Sequence, residues 1–342
     1  MTLTITHNAG FFSCCSLRLH YIINYINLNS KIPNNVDSSN QYQWYKLNNE
    51  EDITYNYFEH FNNIPNIPYV SNINYFEWYQ YTNYLNLDYN KIIPIVKKYF
   101  SPSKIIIDIV KNIEQKYNLN YDNICVLFYR GNDKNTETLI CNYDEYLIYA
   151  NLVMKNNPNI LFLIQSDETE FIDFMTQKFP KNSFYFKDEI RHMNKCNSTV
   201  DHTMKEDIFT FSKYYLAITI IMSKCKYIIC GSGNCSIWIM FYREHSNNVI
   251  QNLNGEWLTH EPINENKTEN ENENLHNWKF IANENETIIN LDIGKHIRYG
   301  AKGIGWIEKY NTNDNAFQVK NEYFNIDPAP YVVKQLQICK NC

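Results

Sequence analysis

Three apolar runs constrain this chain more than any other feature: ICVLFY at 124–129, ILFLIQ at 160–165 and YIIC at 227–230. Each is short and nearly unbroken, with no alternation of apolar and polar positions. A strand of that kind is buried on both faces, the condition found in a parallel sheet covered by helices. Between the runs lie stretches of helical length and character, YDEYLIYANLVMKN, ETEFIDFMTQKF and KEDIFTFSKYYLAITIIMSKC. This alternation predicts an α/β unit over residues 121–262, with any ligand at the carboxyl ends of its strands.

Each run ends in small, polar or charged residues: RGNDK at 130–134, QSDE at 165–168 and GSGNCS at 231–236. In a parallel sheet those ends share one rim. Gly-Asn-Asp and Gly-Ser-Gly are each common as plain turns. Three such ends in order after three buried strands point instead to a shared pocket. Gly231 and Gly233 would let backbone approach a ligand, and the helix that follows would offer free N–H groups to an anion. Ser232, Asn234, Cys235 and Ser236 complete that loop. Arg130 brings a forked, permanently charged donor suited to phosphate, and Asp167 an acceptor for a sugar or base group. The combination suits a nucleotide diphosphate carrying a further group. A G-x-G-x-x-G loop after the first strand and a G-K-[ST] phosphate loop are both absent from the sequence.

The remainder of the chain divides around this unit. Residues 1–120 open with an apolar strand at 3–6, the loop HNAGFFSCCS, and a helix marked by Leu17, Leu19, Ile22, Ile23, Ile26 and Leu28. A further helix is expected to open at Ser101-Pro102, where serine caps and proline fits the first turn. A polar stretch, NENKTENENENLHN, marks a linker at 263–279. Strand candidates ETIINLDI, GIGWIEKY and AFQVKN then predict a small β module at 280–342.

Charge and cysteine usage narrow the function. The net charge is −6 and no run of Lys and Arg stands out, so no nucleic-acid partner is expected. The 10 cysteines show no pair of C-x-x-C motifs, so they read as buried thiols of a reducing compartment rather than zinc ligands. No signal peptide is visible, and the longest apolar run, YYLAITIIM, is about half of a membrane span. A cytoplasmic location is the expectation.

The three strand ends resemble motifs of the fucosyltransferase superfamily of GT-B fold, which includes α1,6-, nodulation and protein O-fucosyltransferases. FYRGNDKNTE is similar to its H-x-R-R/G-x-D-K strand end, with Arg130, Asp133 and Lys134 in register. Ser166-Asp167-Glu168 looks like its T-D-D end, and GSGNCSIW like its serine-rich turn into a helix. The resemblance covers about residues 122–250. Phe128 stands where the family has histidine, which removes a base or phosphate contact from that side. The loop holding Asn8, Gly10 and Phe11 sits where such enzymes have an acceptor-facing loop after the first strand. The resemblance implies two Rossmann-like domains, 1–120 on the acceptor side and 121–262 holding the donor. It also implies an inverting, metal-independent transfer of a sugar, fucose from GDP-fucose first among the choices, to a glycan or protein, with no cofactor. Arg130 would hold the departing diphosphate, and Asp133, Lys134, Ser166, Asp167 and Ser232 to Ser236 would bind substrate. Glu50, Glu51 and Asp52 are acids of the first section, and none is singled out as the acceptor's base. Two rival readings remain: a noncatalytic carbohydrate- or nucleotide-binding protein of the same fold, and an interaction protein acting through its β module. That module's patterns, IRYGAKGIGW and D-P-x-P-x-x-x-K, resemble a small β unit that recurs beside unrelated domains.

Overall fold

The computed structural model describes residues 2–48, 51–59, 82–134, 137–260, 278–288, 291–292, 295–301, 305–311, 317–324 and 334–339. Glu50, most of the polar stretch 263–279 and the Asp-Pro-x-Pro segment 327–330 lie outside the described residues. By contacts the chain forms two compact units, Met1–Glu261 and Pro262–Cys342.

The first unit begins with β1 (Thr2–His7), α1 (Phe11–Asn29) and β2 (Asn35–Gln41), a βαβ unit whose strands pair in parallel. Next come α2 (Thr54–Tyr57), β3 (Phe58–Glu59), α3 (Tyr89–Tyr99), β4 (Ser101–Pro102) and α4 (Lys104–Tyr117). The helix expected from Ser101-Pro102 starts two residues later, with Ser103 as its N-cap. Ser101 and Pro102 are spent on an antiparallel pair with β3, and Ser103 N–H donates to Tyr57 O at 2.9 Å.

The larger sheet is built from β5 (Ile124–Tyr129), β6 (Leu161–Ser166), β7 (Ser183–Phe184), β8 (Tyr227–Gly231), β9 (Val249–Leu253) and β10 (Glu256–His260). Its order is β10-β9-β8-β5-β6-β7, parallel throughout except for the antiparallel edge strand β10. All six residues of β5 are buried, as its unbroken apolar run requires. Between the strands run α5 (Tyr143–Asn156), α6 (Thr169–Lys178), α7 (Val200–Thr203), α8 (Ile208–Lys224) and α9 (Asn234–Arg243). The chain leaves β5 toward β6 on one side and returns through β8 toward β9 on the other. The crevice between the carboxyl ends of β5 and β8 is therefore the switch point where open parallel sheets bind ligands.

The apolar run at 214–222 falls within α8, whose residues 216–223 are all buried in the protein. Among the described residues no helix is long and apolar enough to cross a membrane. α1 packs on α9, where the fully buried Trp238 donates from Nε1 to Ser16 Oγ at 2.9 Å. Residues 1–120 and the large sheet thus share one core.

The second unit holds β11 (Trp278–Asn283), β12 (Thr287–Ile288), β13 (His296–Ala301), β14 (Gly305–Tyr310), β15 (Phe317–Gln318), the short α10 (Asn321–Phe324) and β16 (Gln335–Cys339). Four strands form an antiparallel sheet in the order β11-β16-β13-β14, and β12 pairs with β15. Ile297, Tyr299, Val319 and Leu336 are fully buried at its core. Two residues of the sequence patterns meet there on Glu284: Tyr299 donates its hydroxyl at 2.7 Å and the buried Lys334 its ammonium at 3.2 Å. Their position gives the patterns a structural reason, a buried polar network around one carboxylate.

Candidate functional site

A cleft of about 510 Å³ opens at the switch point. Arg130, Asp133 and Lys134 line it from the end of β5, and Gly231 to Ser236 from the end of β8. Gly10 and Phe11, at the start of α1, line it as well.

Arg130 is held from three sides. Its Nε donates to Asp167 Oδ2 at 2.8 Å, one terminal nitrogen to Tyr215 Oη at 3.0 Å, and the other to Asp133 Oδ1 at 3.3 Å. Burial alone would lower its pKa, but Asp167, Tyr215 and Asp133 outweigh burial, and the guanidinium stays charged. Asp133 shows the converse balance. Burial would raise its pKa, yet Arg130 and Lys134 together hold it below the ordinary carboxylate value. Lys134 pairs with Asp133 at 3.2 Å and Glu137 at 2.8 Å.

Asp167 and Ser166 do not line this cleft; they border a smaller cavity of about 70 Å³ on the other side of Arg130. The expected acceptor role of Asp167 toward a ligand is replaced by a supporting one. One oxygen receives Arg130, the other receives Gly131 N–H at 3.1 Å, and the side chain is 6% exposed. The Ser166 hydroxyl accepts the Glu168 N–H at 3.0 Å, so it too serves the backbone. Asn132 closes the turn, donating to Asp167 O at 2.9 Å and accepting Cys196 N–H at 2.8 Å.

The loop after β8 also differs from the expectation that its hydroxyls face a ligand. Ser232 Oγ donates to Asn252 O at 2.8 Å and accepts from Gln251 Nε2 at 2.8 Å. Ser236 Oγ donates to Gly231 O at 2.5 Å. Burial pushes the Cys235 thiol up to about 11, so it is no thiolate nucleophile near neutral pH. What the loop presents is backbone. The first bond within α9 runs from Ile237 N–H to Gly233 O, so the amides of Asn234, Cys235 and Ser236 precede it and carry the positive end of the helix. Gly233 N–H donates to the hydroxyl of the fully buried Tyr84 at 3.1 Å, which pins the loop.

On the N-terminal side the three candidate residues separate. Gly10 caps α1 without a side-chain bond. Phe11 is a core residue packed among Phe12, Tyr42, Tyr45 and Tyr57. Its N–H donates to Tyr45 Oη at 2.7 Å, and Tyr45 in turn donates to Asp201 at 2.6 Å. Asn8 stands off the cleft, exposed, accepting Gln43 N–H at 3.3 Å. Phe128 also borders the cleft and is 2% exposed.

Sequence reasoning missed Tyr215, Asn252, Tyr84 and Asp201. With 28 tyrosines in the chain, nothing in the sequence marks Tyr215 or Tyr84 out from the rest. Asn252 closes β9, whose short run VIQNL lacked the unbroken apolar signal of the other three strands. Among the described residues no cluster of His, Cys, Asp and Glu could hold a metal ion.

No family profile and no curated protein matches the sequence. Among solved structures the fold is similar to a NodZ α-1,6-fucosyltransferase crystal soaked with GDP-fucose, at a TM-score of 0.49 and 9% identity, over 76% of this chain and 99% of that one.

Proposed function

We propose that residues 1–261 form a glycosyltransferase that takes its sugar from a nucleotide diphosphate donor, GDP-fucose first among the candidates. In this reading the segment to about residue 120 faces the acceptor, a glycan or protein, and the rest of the unit, from residue 121, holds the donor, as in a GT-B enzyme. The observation that carries the reading is the meeting of Arg130 with the N-terminus of α9 in one cleft at the switch point of a parallel sheet. An arginine and a helix N-terminus suit the two phosphates of a single ligand.

The chemistry follows from charge. An acceptor hydroxyl attacks the anomeric carbon from the face opposite the diphosphate, the bond from that carbon to the diphosphate oxygen breaks, and its electron pair leaves with the diphosphate. The anomeric configuration inverts, and the hydroxyl proton passes to a base that the proposal leaves unassigned. Negative charge grows on the leaving group, so Arg130 and the α9 amides stabilise the transition state more than the ground state. No step uses a metal ion or a cofactor.

A second reading has its own support. Both cations that line the cleft among the described residues are paired with carboxylates, and Phe128 offers no polar contact. Those features suit a noncatalytic nucleotide or carbohydrate binder. A thermal-shift panel of GDP, UDP and their sugar derivatives tests what the readings share, and product analysis separates them. Transfer predicts a diphosphate-dependent shift together with loss of the nucleotide sugar. A shift without turnover leaves the binder, and no shift with any nucleotide removes the transferase and the nucleotide binder.

A further inference from the structure

We propose that Asp133 is an internal anion of the cleft, one that a ligand's anionic group must replace, and that it thereby sets how much charge a ligand needs in order to bind. The naming of that ligand as a diphosphate rests on the nucleotide-sugar reading; the exchange itself rests on the residues.

The three contacts of Arg130 are unequal. Asp167 follows the end of β6 and Tyr215 lies in α8, and Asp167 is further tied to Gly131 N–H. Asp133 makes the longest contact, 3.3 Å, and alone of the two carboxylates it lines the cleft. The side chains of Arg130 and Asp133 are 26% and 20% exposed, so water or a ligand can reach the pair. The other Asp133 oxygen lies 3.2 Å from Lys134 Nζ. One carboxylate thus spans the two cations lining the cleft, the positions a phosphate's oxygens would seek.

Charge gives the exchange a direction. The described lining carries Arg130 and Lys134 against Asp133, Glu137 and Asp201, that is 2 − 3 = −1. A singly charged anion that displaces Asp133 swaps one unit of charge for another and gains little. A diphosphate brings more charge to the same two cations and retains a net gain. The carboxylate therefore sets a threshold of charge that a ligand must exceed, while Asp167 and Tyr215 keep the guanidinium in place during the swap.

The experiment titrates the full-length protein and Asp133→Asn with inorganic pyrophosphate and inorganic phosphate by calorimetry, beside a titration of wild type with GDP. Asp133→Asn keeps size and removes charge, and for a partly exposed pair the expected gain in pyrophosphate affinity is about fivefold. Phosphate, facing the same exchange, should gain by a similar factor. Equal or weaker pyrophosphate binding by the variant, including no binding by either protein, overturns the proposal and marks Asp133 as a support for Arg130. Melting curves accompany each titration, and Asp133→Ser replaces the asparagine variant if the latter does not fold. Tighter pyrophosphate binding with no binding of GDP upholds the exchange and removes the nucleotide-sugar reading. GDP binding with no gain in the variant does the reverse.

Discussion

Gly131→Ala should destabilise the protein through one contact. A Cβ built at Gly131 would lie 2.0 Å from Glu168 Oε1, 2.3 Å from its Cδ and 2.7 Å from Oε2. A long side chain can often swing aside, but Glu168 is fully buried and accepts a hydrogen bond from Tyr143. Making room breaks that bond, about 1.5–3 kcal/mol for a charged partner, and strains the packing by roughly 1–3 kcal/mol. The sum is about 2.5–6 kcal/mol, which in a unit of this size lowers the melting temperature by roughly 5–20 °C. Chemical denaturation of Gly131→Ala, Glu168→Ala and the double variant isolates the contact as a coupling energy. In the Glu168→Ala background the alanine at 131 should cost below about 1 kcal/mol, because the clashing atoms are gone. An equal cost in both backgrounds would refute the reasoning and move the need for glycine to the backbone.

Other outcomes follow from the same geometry. Asp167→Asn loses the ion pair to Arg130 and should lower unfolding free energy by about 2 kcal/mol, read by denaturant titration; no change would detach Asp167 from the support of Arg130. The pKa of Glu168 is raised above its ordinary 4.5 mainly by burial. The folded state therefore takes up its proton at a higher pH than the unfolded chain does, so this group favours folding below pH 4.5 and that contribution fades as pH rises through the higher folded value. Glu168→Gln should remove the decline, so stability curves of wild type and variant diverge as pH rises above 4.5; parallel curves would show that burial does not shift Glu168. In the second unit Lys334→Met leaves Glu284 without its buried cation and should cost about 3–5 kcal/mol, largely recovered by adding Glu284→Gln. No recovery in that double variant would mean that Lys334 acts through packing.

The large sheet was legible in the sequence because burial on both faces leaves a pattern that little else produces. The runs at 124–129, 160–165 and 227–230 became the core of β5, β6 and β8 almost residue for residue. The rim positions of Arg130 and Gly231 to Ser236 followed from those runs. What side chains do there was far less legible. Ser232, Ser236 and Asp167 look alike in sequence whether they face a ligand or a neighbouring amide, and the backbone path decides between the two. The partners that hold the site came from distant segments, Tyr84 on Gly233 and Tyr215 on Arg130, with no local signature. Ser101-Pro102 carried a genuine capping signal, yet pairing with β3 claimed those residues and passed the cap to Ser103.

The most direct test of the account is release of GDP from GDP-fucose by the purified protein, with and without Arg130. The assay runs below the melting temperature of every variant, since Arg130 also bonds three neighbours. Wild type should release GDP, and faster with a glycan acceptor present. Arg130→Ala should be slower by about tenfold to a hundredfold, the equivalent of one charge-assisted hydrogen bond of about 1.5–3 kcal/mol. Arg130→Lys should fall between, because it keeps the charge and loses the fork. Release by Arg130→Ala at the wild-type rate, or none from wild type with any nucleotide sugar, would contradict the claim that this cleft transfers a sugar.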